Sequence, residues 1–308
     1  TLIGSLAGDA LTDADYNVVM GAAALGADTL GSKSTAIGYA TLQTQNFTTA
    51  TDTFNTAVGY EAGVALTTGI QNTLVGALAG DAITDDADTT AVGYQALTAT
   101  TVGGSTAVGS EAFAFCTTGN SNVAMGVQAG RFVTTGDGQT FIGANAGKGI
   151  TGARITGDDN TAIGRDAGLL LQGAATNNTL VGAFCGDAIT TGDTNTAMGH
   201  LALTVCSTGT NNIAIGNSAL AGVNSGTSNI AMGSAAGNNT TSGEANVMIG
   251  VGCNASASDG DEQIVIATNA TSGAGNNTVR FGSSTGTVYI ALNNSTVTWT
   301  KSSDERLK

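Results

Sequence analysis

The chain has 308 residues with 46 Gly, no Pro and 10% charged residues, against about 7% Gly, 5% Pro and 25% charged in an ordinary domain. At 41% apolar without proline it is neither a disordered segment nor a collagen, and with no signal peptide and no apolar run near the ~18–20 residues of a spanning helix it predicts no membrane insertion. A net charge of −14 excludes nucleic acid as a partner, and one His and four scattered Cys leave little for cofactor, metal or enzyme chemistry.

In chain order, residues 1–250 are fifteen copies of one unit. Thr56-Ala57-Val58-Gly59 recurs as Thr161-Ala162-Ile163-Gly164, Thr196-Ala197-Met198-Gly199 and Ile230-Ala231-Met232-Gly233. The closing glycines run from Gly4, Gly21 and Gly38 to Gly216, Gly233 and Gly250, at spacings of 16 to 18 residues apart from two of 21. Before each glycine stands Ile, Val or Met, and three before it Thr in ten copies and Val or Ile in five. Between them lies Ala in nine copies and a larger apolar residue in six: Leu2, Val19, Leu74, Phe141, Leu180 and Met248. Asn precedes this triplet in ten of fourteen copies, as at Asn55, Asn72 and Asn195, and Ala follows the glycine by three in twelve of fifteen.

Seventeen residues suffice for two short strands and two turns, and β-branched runs with glycine weigh against helix. The unit therefore predicts an all-β fold, a β-solenoid or β-roll of about 15 coils with a 17-residue period. Stacked at ~4.8 Å, the coils would make a rod on the order of 70 Å long. The Asn column would form a hydrogen-bonded ladder, and each glycine would serve a corner of positive φ or close approach.

Three consecutive apolar or β-branched columns imply that both faces of the strand are dry. The β-branched pair of columns is expected to fill the roll, leaving the Ala column, with its six large members, to pack on another chain of a homo-oligomer. The two 21-residue coils carry insertions at Gln43–Phe54 and Lys148–Asp158, expected as loops on one edge.

After Gly250 the pattern decays. Gln263–Ala267 reads as a degenerate sixteenth coil, and Thr278–Gly282, Thr287–Ala291 and Val297–Thr300 as further strands, so 251–301 is expected to be a β cap. Residues 302–308 are charged and non-repetitive. Thr1 begins inside a coil, which marks the chain as a fragment or a processed product.

Few side chains are candidates for chemistry. His200 occupies a slot after the glycine that elsewhere holds Tyr60, Tyr94, Arg165, Asn217 or Ala77, so it is expected on the surface. Cys185 and Cys253 stand in the Ala column, and Cys116 and Cys206 share another; same-column partners lie four and five coils apart, roughly 19 and 24 Å, too far for a disulfide. They read as buried fillers. Asp85-Asp86-Asp88, Asp158-Asp159 and Asp259-Asp261-Glu262 lack the spacing of a calcium loop and read as solvated turns. No glycine-rich stretch has the strand-to-helix context of a phosphate loop.

The tandem repeat resembles the β-roll heads of trimeric autotransporter adhesins, and more closely the shafts of phage tail fibres, in the stretches Asn55–Ala62 (NTAVGYEA) and Thr90–Leu97 (TAVGYQAL). The C-terminal Val297–Lys308, ending Ser302-Ser303-Asp304-Glu305-Arg306-Leu307-Lys308, resembles the entry to the intramolecular chaperone domain of phage fibres and tailspikes. That resemblance implies a homotrimer in the virion, extracellular, joined to other tail proteins and reaching a host cell-surface receptor. It also implies one single-turnover self-cleavage between Ser302 and Ser303, with Ser303 as nucleophile and Asp304 assisting. The presence of residues 303–308 stands against cleavage having occurred here. An adhesin head on a bacterial cell surface is the second possibility, and an ice-binding solenoid using the Thr column the third, disfavoured because five of its fifteen positions are Val or Ile and the column is expected on the core face. A glycan-degrading tailspike would need a carboxylate pair in a groove, and the sequence shows none.

Overall fold

The computed structural model describes residues 1–101, 103–267, 271–283, 286–293 and 296–301. They fall into two compact units, Thr1–Asn160 and Thr161–Lys308. In the first, nine short strands follow one another, from Leu2–Ile3, Val18–Met20 and Thr35–Ile37 through Thr56–Val58 and Thr73–Val75 to Thr140–Ile142. Each is parallel to the next with equivalent residues opposed: Thr56 faces Thr73, Ala57 faces Leu74 and Val58 faces Val75. The second unit continues in the same way from Thr161–Ile163 to Val247–Ile249 and Gln263–Ala267, giving seven more coils. The chain is thus an all-β parallel solenoid of about sixteen coils, with no helix among the described residues.

Gln263–Ala267 pairs in register with its predecessor, Val265 opposite Met248, so the sixteenth coil forms although its repeat is degenerate. Thr278–Ser283 adds a parallel strand, and Gly286–Asn293 and Thr296–Lys301 then return as an antiparallel meander.

Two expectations are corrected. Each coil was expected to hold two strands and holds one, three residues long in all but the first and the sixteenth. The other half runs through turns whose residues adopt left-handed backbone, for example Glu61 at φ 52°, Gly63 at 60° and Gln71 at 61°. These turns still bond coil to coil: the Gly63 N–H donates to Ala79 O at 3.0 Å and the Thr67 N–H to Thr84 O at 2.6 Å. Backbone polarity is satisfied by stacking without a second sheet. The exception is at the first long coil, where Thr51–Asp52 pairs in parallel with Gly31–Ser32 of the coil before it.

The second correction concerns which face is inside. Ala36, Ala57, Ala91, Ala107 and the other strand alanines have no solvent exposure. They meet the buried Ala62-type and Leu66-type columns across a narrow interior. The Thr and Ile/Val/Met columns, two residues apart and therefore on one side of the strand, point outward; Met198 is 51% and Met20 44% exposed. The interior has no room for two β-branched columns, so the smallest column takes it.

The large members of the Ala column also point inward: Val19, Leu74, Phe141, Leu180 and Met248 are fully buried. Leu74, Phe141, Leu180 and Met248 fill space left by glycines four residues after an anchor. A Cβ on Gly147 would lie 2.5 Å from the Phe141 ring, and one on Gly186 2.8 Å from Leu180 Cδ2. The anchor glycines serve close approach: Gly59 sits at φ +145°, and a Cβ there would lie 2.4 Å from Gly76 O of the next coil.

Candidate functional site

Three features offer themselves for function: the outward strand face, the slot after the anchor glycine, and the loops of the long coils. In the first unit the outward face presents Thr35, Thr56, Thr73, Thr90 and Thr106 in five successive coils beside Ile37, Val58, Val75, Val92 and Val108. In the second it is more apolar, with Ile213, Ile230 and Val247 in the Thr column beside Ile215, Met232 and Ile249. Neither column contains a charged residue in any of the fifteen copies.

Behind one edge of this face runs the amide ladder. Asn212 is fully buried. Its Nδ2 donates to Gly226 O at 2.8 Å and to Asn195 Oδ1 at 3.1 Å. Its Oδ1 accepts from the Asn229 N–H and Nδ2, both at 3.1 Å. The same pattern joins Asn178 to Asn195 and Asn229 to Asn246. All four hydrogen-bonding positions of the amide are used, which explains why Asn holds the column.

The slot after the glycine is solvent-facing. Tyr39 and Tyr60 stack with ring centroids 5.4 Å apart, and Tyr94 is exposed. His200 is exposed as expected; its Nδ1 lies 3.2 Å from Asn217 Nδ2 and its ring meets Phe184 edge-on.

The insertions of the long coils fold differently from one another. In the first, the buried Asp28 accepts from the Gly31 and Phe47 N–H groups at 3.0 and 3.1 Å and from Gln45 Nε2 at 2.6 Å. Gln45 also reaches Ser34, and its Oε1 accepts from Asn55. This buried clip pins the loop, and Lys33 pairs with Asp52 at 2.6 Å beside Phe54. In the second, Ile150 and Ala153 bridge across a tight turn, and Ile155 pairs with Val133 of the preceding coil. Arg154 is thereby laid over Phe115, its guanidinium carbon 4.5 Å from the ring centroid, while Phe115 stacks on Phe132 at 5.2 Å.

The four cysteines are free and buried. Burial pushes the Cys116 and Cys206 thiols up to about 11 and Cys185 to about 12, and raises Cys253. Protonated thiols of this kind are poor nucleophiles. Burial likewise raises Asp81 and Asp187 above the usual carboxylate range, against the opposing hydrogen bonds from Thr98 and Thr204. Asp86 is raised by burial and then by the charge of Asp85. No group of three or more His, Cys, Asp or Glu converges to hold a metal among the described residues. A depression of about 260 Å³ on the first coil, bordered by Leu2, Leu11 and Tyr16, presents no carboxylate, imidazole or thiol.

Ser302, Ser303 and Asp304 lie outside the described residues. Sequence reasoning passed over Asp28, whose isolated carboxylate carries no periodic signal, and Arg154, whose aromatic partner lies 39 residues earlier. Within the described residues no helix is long and apolar enough to cross a membrane. No protein-family model, no curated protein and no solved structure matches the chain.

Proposed function

We propose that the chain is a structural and adhesive module, the β-roll shaft of a phage tail fibre. In it, chains bury their Thr and Ile/Val/Met columns against one another, and the loops of the long coils face the host surface. The observation that carries this is the uncharged outward face. An exposed strand face under no constraint accepts Lys and Glu, whereas here fifteen successive copies hold Ile, Val or Met in one column and Thr, Val or Ile in the other. Apolar surface repeated over that many coils belongs against a partner. Another copy of the same chain supplies the matching period, so each coil meets an equivalent one. Three chains, the trimer implied by the resemblance to fibres and adhesin heads, would enclose the face and multiply weak loop contacts through avidity.

The expectation that the Ala column makes the interface is replaced by this one. The C-terminal resemblance adds a seed for register: stacked coils slip easily by a whole repeat, and a chaperone beyond Lys308 would fix alignment before the faces close. Self-cleavage at Ser302/Ser303 belongs to the same proposal. Intact mass of the complete reading frame beside Ser303→Ala tests it, a chain ending at Ser302 only with Ser303 present being the expected result. A bacterial adhesin head would use the same face.

One observation revives the ice-binding alternative. The Thr column was expected on the core side and points outward, with five hydroxyls in register at about 4.8 Å, while Val18, Val123, Ile213, Ile230 and Val247 still interrupt it. Sedimentation equilibrium separates the two. A mass of three chains without thermal hysteresis supports the fibre; a mass of one chain with thermal hysteresis overturns it in favour of ice.

A further inference from the structure

We propose that the loop of the second long coil is a binding site for an anionic polysaccharide, one bearing carboxylate, phosphate or sulfate, with Arg154 as the principal contact and Lys148 in support. This deepens the fibre reading and rests on it only for the identity of the surface that carries the sugar.

Residues 1–160 hold four cationic side chains against fourteen carboxylates, and three of the four, Arg131, Lys148 and Arg154, belong to the eighth and ninth coils. Their neighbours separate them. Arg131 is neutralised by Glu111, its Nε 3.2 Å from Oε2 and its Nη2 donating to Oε1 at 3.3 Å. Lys33, far along the chain, is neutralised by Asp52. Arg154 and Lys148 have no carboxylate within 4.0 Å among the described residues. Within residues 1–160, having no carboxylate within 4.0 Å sets these two cations apart from Lys33 and Arg131.

Arg154 is also held in place. Its planar group lies on Phe115, which is backed by Phe132, and Arg131 caps the same two rings at 5.7 and 5.0 Å. The backbone beside it is locked: the Ile155 N–H donates to Phe132 O and the Thr134 N–H to Ile155 O, both at 3.0 Å. Lys148 is fixed through its own carbonyl, which accepts from the Phe132 N–H at 2.9 Å. A guanidinium stacked by its face keeps its N–H edge for an oxyanion, and bidentate capture of carboxylate, phosphate or sulfate is what that edge does best. Because the side chain is already ordered, binding costs little conformational entropy. Next to it the exposed turn Ile150-Thr151-Gly152 offers a hydroxyl and backbone groups to sugar hydroxyls.

The test uses the whole chain. Calorimetric titration with a sulfated heparin oligosaccharide and with oligogalacturonate is compared with neutral dextran and with a poly-glutamate peptide. The expected result is binding of one or both anionic sugars, weakening as salt is raised, with no binding of dextran. Arg154→Ala should lower the affinity about tenfold or more without moving the melting temperature, and Arg154→Lys should restore only part, since an ammonium lacks the fork. Lys148→Ala should give a smaller loss. Equal binding by Arg154→Ala, absence of binding by either anionic sugar, or equal binding of poly-glutamate would each overturn the site. Sedimentation of the same samples keeps the two proposals apart: a trimer that binds no sugar sinks the site alone, and a monomer that binds sugar sinks the fibre alone.

Discussion

Leu74 occupies the space that Gly80 leaves open: a Cβ on Gly80 would lie 2.8 Å from Leu74 Cδ2. In the next coil the sizes are exchanged, with Ala91 in the strand and Leu97 four residues after the glycine, both fully buried. Between these two coils one large residue replaces the other, so interior volume is conserved while sequence varies. Leu74→Ala alone should cost about 2–5 kcal/mol by leaving a cavity. Gly80→Leu alone should overpack the coil. The double variant should regain part of the loss, because Leu97 adopts φ 52° at the equivalent position without difficulty. A double-mutant cycle from urea midpoints measures the coupling; strict additivity would refute the exchange.

The period, the all-β class, the Asn ladder and the close-packed glycine corner were legible because each is a one-residue column that repeats. The inside of the strand was not. Polarity separates faces only when one is polar, and here Thr, Ala and Val are all compatible with burial. The usable signal was size: Ala against Ala62-type and Leu66-type columns fits a narrow coil, and the glycines opposite Leu74, Phe141 and Leu180 compensate for their bulk. That covariation exists within the one sequence. The missing second strand had no such signal, since left-handed residues such as Glu61 and Gln71 are ordinary polar residues in the sequence. For the loops, spacing located the insertions, but the stacking of Arg154 on Phe115 depends on coil geometry that spacing does not encode.

The ladder gives a graded prediction. Asn212→Ala would leave Gly226 O and the Asn229 N–H without their partners. Each unsatisfied buried group costs on the order of 1–3 kcal/mol, so the variant should lose about 2–4 kcal/mol. Asn212→Ser should lose less, since Ser105 occupies the same column and its Oγ accepts from the Asn122 N–H at 3.3 Å. Equal losses would argue that the amide contributes nothing beyond its volume.

Alkaline pH should destabilise the fold. Burial raises the Cys116 thiol from its ordinary 9.0 to about 11, so the unfolded chain ionises first. Stability is therefore complete below pH 9 and lost as pH rises through 11. A shift of that size corresponds to about 2–3 kcal/mol. Urea midpoints measured from pH 8 to 11 should fall, and should fall less in Cys116→Ala. In the folded chain all four thiols should resist alkylation at pH 8.

The carboxylates give a slope of the same sign at the acid end, stability falling as pH rises. Asp81 and Asp187 have raised values in the folded chain, so the folded state holds their protons more tightly than the unfolded one. Their contribution is fully present below about pH 3.8 and is lost as pH rises through the raised values. Replacing each by Asn should flatten the melting temperature between pH 4 and 6; an unchanged profile would show that burial is not what shifts them.

The outward face is tested most directly by engineered cysteines at adjacent positions of one strand. Ile215→Cys stands on the proposed interface and Ala214→Cys inside the coil, where the native residue has no exposure. Under mild oxidation, followed by denaturing electrophoresis and paired with sedimentation mass, Ile215→Cys should form disulfide-linked chains in a three-chain particle. Ala214→Cys should form none. A particle of one chain in which Ile215→Cys reacts freely with a thiol reagent and forms no link would contradict the account.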